Sequence, residues 1–398
     1  VLTSRRARPS ALLSFPMRKL FWRLHSIVGL VAGLGLVVIG LSGSVLVFHE
    51  EIDAVFSPEA TRVEPTAAGR LPLTELVASV EAAFPAHAVT GWAFDRDDPR
   101  AADGAYVMPW GTREWRWITV DPYRGEVLSG PVEADKTFKH WLLHLHYELL
   151  LGHVGMAISG LLGVALCFLG LSGLWLYRRF WRTFFRLRWR ASARMLLGDI
   201  HRFTGVCAVG FNLLLGFTGA WWNLTHVWHE LTEDHHHPED EVLFHERLFP
   251  LELDLDALLA RADTHVPGFV THYVSLPWSP EEGRFTLWGR SADAGWWRSV
   301  HGSQVTYTAG EGSFVSAYDI REAPLGTQVV DAFEPLHYGY FGGLPIKLLW
   351  SAAGLAPGIL ALSGMAIWWK RRRSRPSAAA ASRAFAQEQR EVTTVPGG

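Results

Sequence analysis

Four long runs without a charged side chain constrain this 398-residue chain more than any other feature. Residues 26–47 read SIVGLVAGLGLVVIGLSGSVLV, and as a helix rising roughly 1.5 Å per residue they cover about 33 Å, enough for a hydrocarbon core of about 30 Å. Three further runs qualify, at 154–177, 204–225 and 348–369. The basic start with Arg5, Arg6, Arg18, Lys19 and Arg23 would also suit a signal peptide. The apolar stretch is too long for one, and FHEEIDAVF follows it without a small-x-small cleavage site, so it reads as a retained anchor.

Lys and Arg near helix ends stay in the cytoplasm. The N-terminus, the connection holding Arg178, Arg179, Arg182, Arg186, Arg188, Arg190 and Arg194, and the cluster Lys370, Arg371, Arg372 and Arg373 therefore share the cytoplasmic side. The expected layout is a basic N-terminus 1–24, a first span 25–49, an external domain 50–139, a second span 140–178 and a basic loop 179–200. A third span 201–229, a second external domain 230–335, a fourth span 336–370 and a cytoplasmic tail 371–398, Ala/Ser/Glu-rich and read as disordered, complete it. Both termini are then cytoplasmic, and in a Gram-negative cell the two large segments are periplasmic.

Composition agrees with a membrane protein. Only 19% of residues are charged, and the 19 Trp suit the water–hydrocarbon boundary. A formal charge of -2 gives no global basic field, so nucleic acid is not an expected partner, whereas membrane lipid is. Cys167 and Cys207, inside apolar runs, cannot build a disulfide framework or a four-thiolate metal site. No C-x-x-C-H occurs, which excludes covalent c-type haem attachment.

The external segments read as α+β. The first has an amphipathic helix at 73–84 and then alternating strands in GAYVMPW and REWRWITVDP, turning at Tyr123-Arg124-Gly125. The second repeats that order with DLDALLARADTH, followed by THYVSLPW, GRFTLWGR, WWRSVHG and SQVTYTAG.

The repetition extends to the spans. A shift of 191 aligns Leu145-His146-Tyr147 with Leu336-His337-Tyr338 and Leu171-Ser172-Gly173 with Leu362-Ser363-Gly364. A shift of 176 aligns His25 and Gly29 with His201 and Gly205, and Ser42-Gly43 with Thr218-Gly219. The chain is thus two parallel copies of one unit, expected to be related by a pseudo-two-fold axis along the membrane normal.

Recurrence selects four of the 18 histidines. His25 and His201 open spans one and three on the cytoplasmic side, and Gly29 and Gly205 lie one turn on, leaving a flat slot beside each imidazole. Such a slot suits a porphyrin plane better than a compact zinc site, so His25 and His201 are candidate axial ligands of one haem. His146 and His337, preceding spans two and four with Gly152 and Gly342 shortly after, are candidates for a second haem on the outer side. Interfacial histidines that merely snorkel to water are the bland alternative. The [Ser/Thr]-Gly pairs place small residues beside each proposed haem, or simply let helices pack closely. Pro345 and Pro357 lead to the expectation that span four is kinked or interrupted. Arg202 is read as a haem-propionate partner or a positive-inside anchor. His49, His144 and His153 remain alternatives for an outer ligand, and His235-His236-His237 reads first as a solvated loop. Tyr147, Glu148, Tyr338 and Tyr340 are candidate groups around the outer ligands or the substrate.

Two haems, one near each face, would carry electrons across a layer of low dielectric. The short cytoplasmic parts hold no flavin or nicotinamide fingerprint, so the donor is expected to be a separate reductase or a membrane quinol.

The motifs LHSIVGL, LHYELLLGHVG, IHRFTGV and PLHYGYFGG, with VDPYRGEV, resemble the PepSY-associated transmembrane family, and most closely its FoxB-like ferric-siderophore reductases. The resemblance covers residues 18–373 and rests on the order, spacing and duplication of short motifs. It implies a four-span inner-membrane protein with two periplasmic PepSY-type domains and two haem b, reducing hydroxamate-type ferric siderophores so that Fe(II) is released. The family's histidines fall on His25, His146, His201 and His337. Two other readings stay open: a non-enzymatic scaffold whose PepSY-type domains restrain a partner, and a dihaem quinone-linked carrier with another acceptor.

Overall fold

The computed structural model describes residues 14–96, 98–133, 136–179, 187–232, 245–250, 252–278 and 283–373. Arg5, Arg6, Arg182, Arg186, the His235-His236-His237 run and residues 374–398 of the tail lie outside the described residues.

The first copy runs through helices α1 (Ser14–Leu46), α2 (His49–Phe56), α3 (Pro58–Thr61) and α4 (Leu73–Ala83). Strands β1 (His87–Ala93), β2 (Asp103–Pro109), β3 (Arg116–Val120) and β4 (Val132–Glu133) follow, then helices α5 (Phe138–Glu148) and α6 (Gly152–Leu176). The second copy comprises α7 (Ala193–Cys207), α8 (Val209–Thr232), α9 (Leu255–His265), β5 (Phe269–Ser275), β6 (Arg284–Ser291), β7 (Ser303–Thr308) and β8 (Phe314–Tyr318). It ends with α10 (Leu325–Asp331), α11 (Phe333–Tyr338) and α12 (Gly343–Arg373). Two compact units emerge, one within residues 1–41, 158–220 and 353–398, the other 42–157 and 221–352.

Among the described residues three helices are long and apolar enough to cross a membrane: Met17–Leu46, Gly152–Leu176 and Tyr340–Arg373. A fourth span is made if α7 and α8 count as one, and these meet at a 65° bend. The expected third span is thus a bent pair of helices meeting at Ala208, either a broken span or a re-entrant loop. α7 is polar, carrying Arg194, Asp199, His201 and Arg202 within three turns and burying the Asp199 carboxylate, whereas α8 begins with the largely apolar run VGFNLLLGF.

Span four corrects the opposite expectation. Despite its two prolines, α12 runs unbroken from Gly343 to Arg373. Pro345 falls in the first turn, where no amide has an intrahelical acceptor to lose. Pro357 forfeits only the bond to the Ala353 carbonyl, a loss that membrane helices tolerate when neighbours pack closely.

Glycine makes that close packing. In the first unit a Cβ on Gly40 would stand 2.7 Å from the Gly354 carbonyl oxygen, and one on Gly163 would stand 2.6 Å from that of Gly216. Gly40 and Gly216 are equivalents by the 176 shift, and Gly163 and Gly354 by the 191 shift. α1 of the first copy thus crosses α12 of the second, and α8 of the second crosses α6 of the first, backbone on backbone.

The second unit holds the sheet. The expectation of two separate α+β domains is corrected here, because all eight strands form one sheet in the order β4-β3-β2-β1-β5-β6-β7-β8. The copies join antiparallel at its centre, with Gly91 opposite Ser275, Trp92 opposite Val274 and Ala93 opposite Tyr273. Each half alone would expose β1 or β5 as an open edge with unpaired amides, and pairing them removes both liabilities.

One hydrophobic core crosses that seam. Val77 and Val80 of α4, Leu258 and Ala262 of α9, and Trp92, Ile118, Phe285 and Val305 from the strands belong to it. Asp256 of the second copy accepts the amides of Leu73 (2.7 Å) and Thr74 (3.1 Å), capping α4 of the first, while Thr74 Oγ1 accepts the amide of Leu255 (3.1 Å). Asp103, fully buried, is satisfied by Trp92 Nε1 (2.9 Å), the Asp95 amide (3.2 Å) and an ion pair with Arg70. WWRSVHG, expected as a strand, forms turns between β6 and β7, with a Gly295 carbonyl–Arg298 amide bond of 2.9 Å. Trp92 is core, whereas Trp115, Trp296 and Trp297 are exposed.

Candidate functional site

The four repeated histidines meet in two pairs, each inside one unit. In the first unit the rings of His25 and His201 lie with centroids 6.3 Å apart at 83°. His25 Nδ1 is 2.8 Å from Ser172 Oγ, and His201 Nδ1 is 2.9 Å from Ser363 Oγ. These two bonds are equivalents under the repeat. In the second unit His146 and His337 stand with centroids again 6.3 Å apart, at 68°. His146 Nδ1 is 3.1 Å from Ser42 Oγ, and the Trp222 ring packs edge-on against His337 at 5.3 Å.

Imidazole binds a metal at about 2.0–2.1 Å, so at this separation the two rings of each pair are near enough to share one ion. A serine at Nδ1 fixes the ring's rotation and leaves Nε2 as the nitrogen that can bind a metal. Two imidazoles per pair are a donor set that a haem iron would accept.

Small residues surround the pairs as the repeat foretells. A Cβ on Gly173 would lie 3.3 Å from His25 Cε1, on Gly364 3.5 Å from His201 Cε1, and on Gly43 2.6 Å from His146 Cε1. Gly29 and Gly205 are different. Their nearest protein neighbours would be Leu169 and Leu360, each at 3.6 Å, so packing alone does not demand glycine there. Thr218, the fourth hydroxyl of the Ser/Thr-Gly set, donates to the Leu214 carbonyl at 2.9 Å.

His146 and His337 sit on α5 and α11, short helices ahead of the spans. The turn after α5 holds Leu149 and Leu150 at φ of 54° and 58°, a conformation that costs a branched residue energy, and α6 opens at Gly152 with φ 59°. Its repeat equivalent is Gly343, also at φ 59°, and not Gly342 as the motif suggested.

The alternative outer histidines have other partners. His49 Nδ1 bonds the Leu46 carbonyl (2.9 Å), and His144 bonds Glu148 (2.6 Å) and the Tyr147 hydroxyl (3.2 Å). His153 contacts Glu230. Tyr340 donates to Glu334 (3.1 Å), and His301 lies 3.4 Å from the same carboxylate. Burial would raise the Glu334 pKa, but His301 and Ser299 outweigh it and hold the carboxyl below its ordinary value.

Arg202 is also engaged locally. Its guanidinium pairs with Asp199, which also takes two 2.9 Å bonds from Arg188, and it lies 5.4 Å over the Tyr177 ring. Arg202, read as a propionate partner or an anchor, thus has a carboxylate partner on its own helix. Sequence reasoning missed the serine–imidazole bonds and Trp222. The recurring Ser-Gly pairs were the available signal for the former.

The PepSY-associated TM region family matches residues 22–371. The chain belongs to that family. A Pseudomonas aeruginosa protein described as uncharacterized is 28% identical over 256 residues, covering 60% of this chain and 64% of that relative. The family is one of membrane-associated proteins, in keeping with the apolar helices described above.

Proposed function

We propose that this protein is a dihaem electron carrier of the bacterial inner membrane that reduces periplasmic ferric siderophore. The observation that carries the proposal is that the four repeated histidines meet as two pairs, one in each unit, each with ring centroids 6.3 Å apart. His25 with His201, and His146 with His337, would each hold one haem b, whose iron supplies one-electron chemistry. Ser172, Ser363 and Ser42 orient the ligating rings, and Gly29 and Gly205 leave space for a flat group. Residue charge supports the orientation, with Arg178, Arg179, Arg188, Arg190 and Arg194 facing the cytoplasm and the sheet facing the periplasm.

The substrate's chemistry suits one-electron delivery. Hard, anionic oxygen donors such as hydroxamates hold Fe(III) much more strongly than Fe(II), so reduction is itself the release step. A cytoplasmic reductase or a membrane quinol would supply the electrons.

Absorption spectra and haem content of the purified protein test this. Low-spin bands and about two haems per chain are expected, with one lost in His25→Ala or His201→Ala. Reoxidation of the dithionite-reduced protein by ferric hydroxamates tests the acceptor. A haem-free protein leaves the PepSY-type scaffold reading, and reduced haem indifferent to ferric chelates leaves an electron carrier with another acceptor.

A further inference from the structure

A second histidine cluster lies in the sheet-bearing unit, outside the paired ligands. His153 stands in the first turn of α6, and His226 and Glu230 stand one turn apart on the last turns of α8. The His153 and His226 rings are parallel within 5°, with centroids 6.4 Å apart, and His153 Nδ1 contacts the Glu230 carboxylate. One nitrogen from each histidine and one carboxylate oxygen lie within 4.8 Å of one another.

We propose that His153, His226 and Glu230 form a binding site for a divalent first-row metal ion of the Fe(II) and Zn(II) class. Two imidazoles and one carboxylate are the donor set that such ions share, and three protein ligands leave positions open to water or a chelator. Adjacent ligands at about 2.0–2.1 Å from one ion are about 3.3 Å apart in tetrahedral geometry, so closure requires side-chain rotation of an ångström or so. The exposed His153, whose side chain is 70% accessible, can make that rotation. An open, accessible site fits transient holding of an ion rather than a structural role.

The site's use rests on the reductase reading: the α6 and α8 ends carrying it adjoin the external segments, where Fe(II) leaving its siderophore would need a softer, nitrogen-containing receiver. Hydroxamate oxygens lose their hold on Fe(II), while imidazole gains relative to them. No electron or covalent bond moves in this step; the ion exchanges oxygen ligands for the two imidazoles and Glu230.

The test uses the full-length, untagged protein in detergent, dialysed against chelator and then titrated anaerobically with Fe(II) and separately with Zn(II). Metal retained through gel filtration is counted by mass spectrometry beside haem. One metal per chain beyond haem iron is expected, with binding in His226→Ala and Glu230→Gln weakened by more than about tenfold, at or above the cost of perturbing an outer-shell partner. Unchanged haem spectra and elution in the variants show that the fold survives. No extra metal in the wild type, or equal metal in both variants, overturns the site. One extra metal in a haem-free protein keeps the site and refutes the reductase reading, whereas two haems without extra metal do the reverse.

Discussion

Replacing Gly43 by alanine adds one carbon at the most crowded point beside the repeated histidines. That Cβ would stand 2.6 Å from His146 Cε1, where ordinary contact begins at 3.4 Å, so the imidazole must retreat by about 0.8 Å at an overpacking cost of about 1–3 kcal/mol. The gain in helix propensity from Gly to Ala, about 1 kcal/mol, offsets part of this, so the protein should still fold. A ligand bond of about 2.0–2.1 Å cannot absorb a displacement of that size. The equivalent substitutions supply an internal scale: Gly173→Ala approaches His25 at 3.3 Å, and Gly364→Ala meets His201 only at 3.5 Å. Haem per chain, measured by pyridine haemochrome against protein concentration, should fall by about one equivalent in Gly43→Ala, partly in Gly173→Ala and not in Gly364→Ala. Full haem content with an unaltered spectrum in Gly43→Ala would refute the assignment of His146 as a ligand. Equal losses in all three would show that helix packing, rather than ring clearance, governs the result.

Ser172→Ala and Ser363→Ala should each weaken haem retention at the His25–His201 pair by about 10–100-fold, read by haem transfer to apomyoglobin, with the His146–His337 pair unaffected. Arg202→Ala should leave haem content and spectrum unchanged, since its guanidinium pairs with Asp199; loss of a haem would restore the propionate role. Asp103→Ala strands Arg70 and the Trp92 indole beneath the sheet and should destabilise the sheet-bearing unit by about 3–5 kcal/mol, visible as faster limited proteolysis of residues 50–139. Asp256→Ala uncaps α4 from across the seam and should cost about 1–2 kcal/mol in the same assay.

The membrane part was legible because its signals are local. A charge-free run of 22 residues such as 26–47 can satisfy its backbone in lipid only as a helix, whatever surrounds it. His25, His146, His201 and His337 were legible for another reason: duplication let one half check the other. The helices at 73–84 and 254–265 and most strands likewise follow from their periodicity. The bend at Ala208 was not legible, since the apolar run alone continues smoothly from Thr204. What Pro357 does to the continuity of α12 was not legible either, because the cost of a lost hydrogen bond depends on neighbours the sequence does not name.

The sequence by itself determined the apolar helices, the duplication and the residue types able to bind a metal, all of which are properties of short segments or of their recurrence. Tertiary structure alone decided that the two external segments share one sheet, because pairing β1 with β5 is an edge-to-edge choice between segments about 180 residues apart, set by the need to close exposed strand edges. It also decided that each histidine pair stands at 6.3 Å and that serines hold rings of both pairs, because such distances are fixed only when helices from both copies pack against one another.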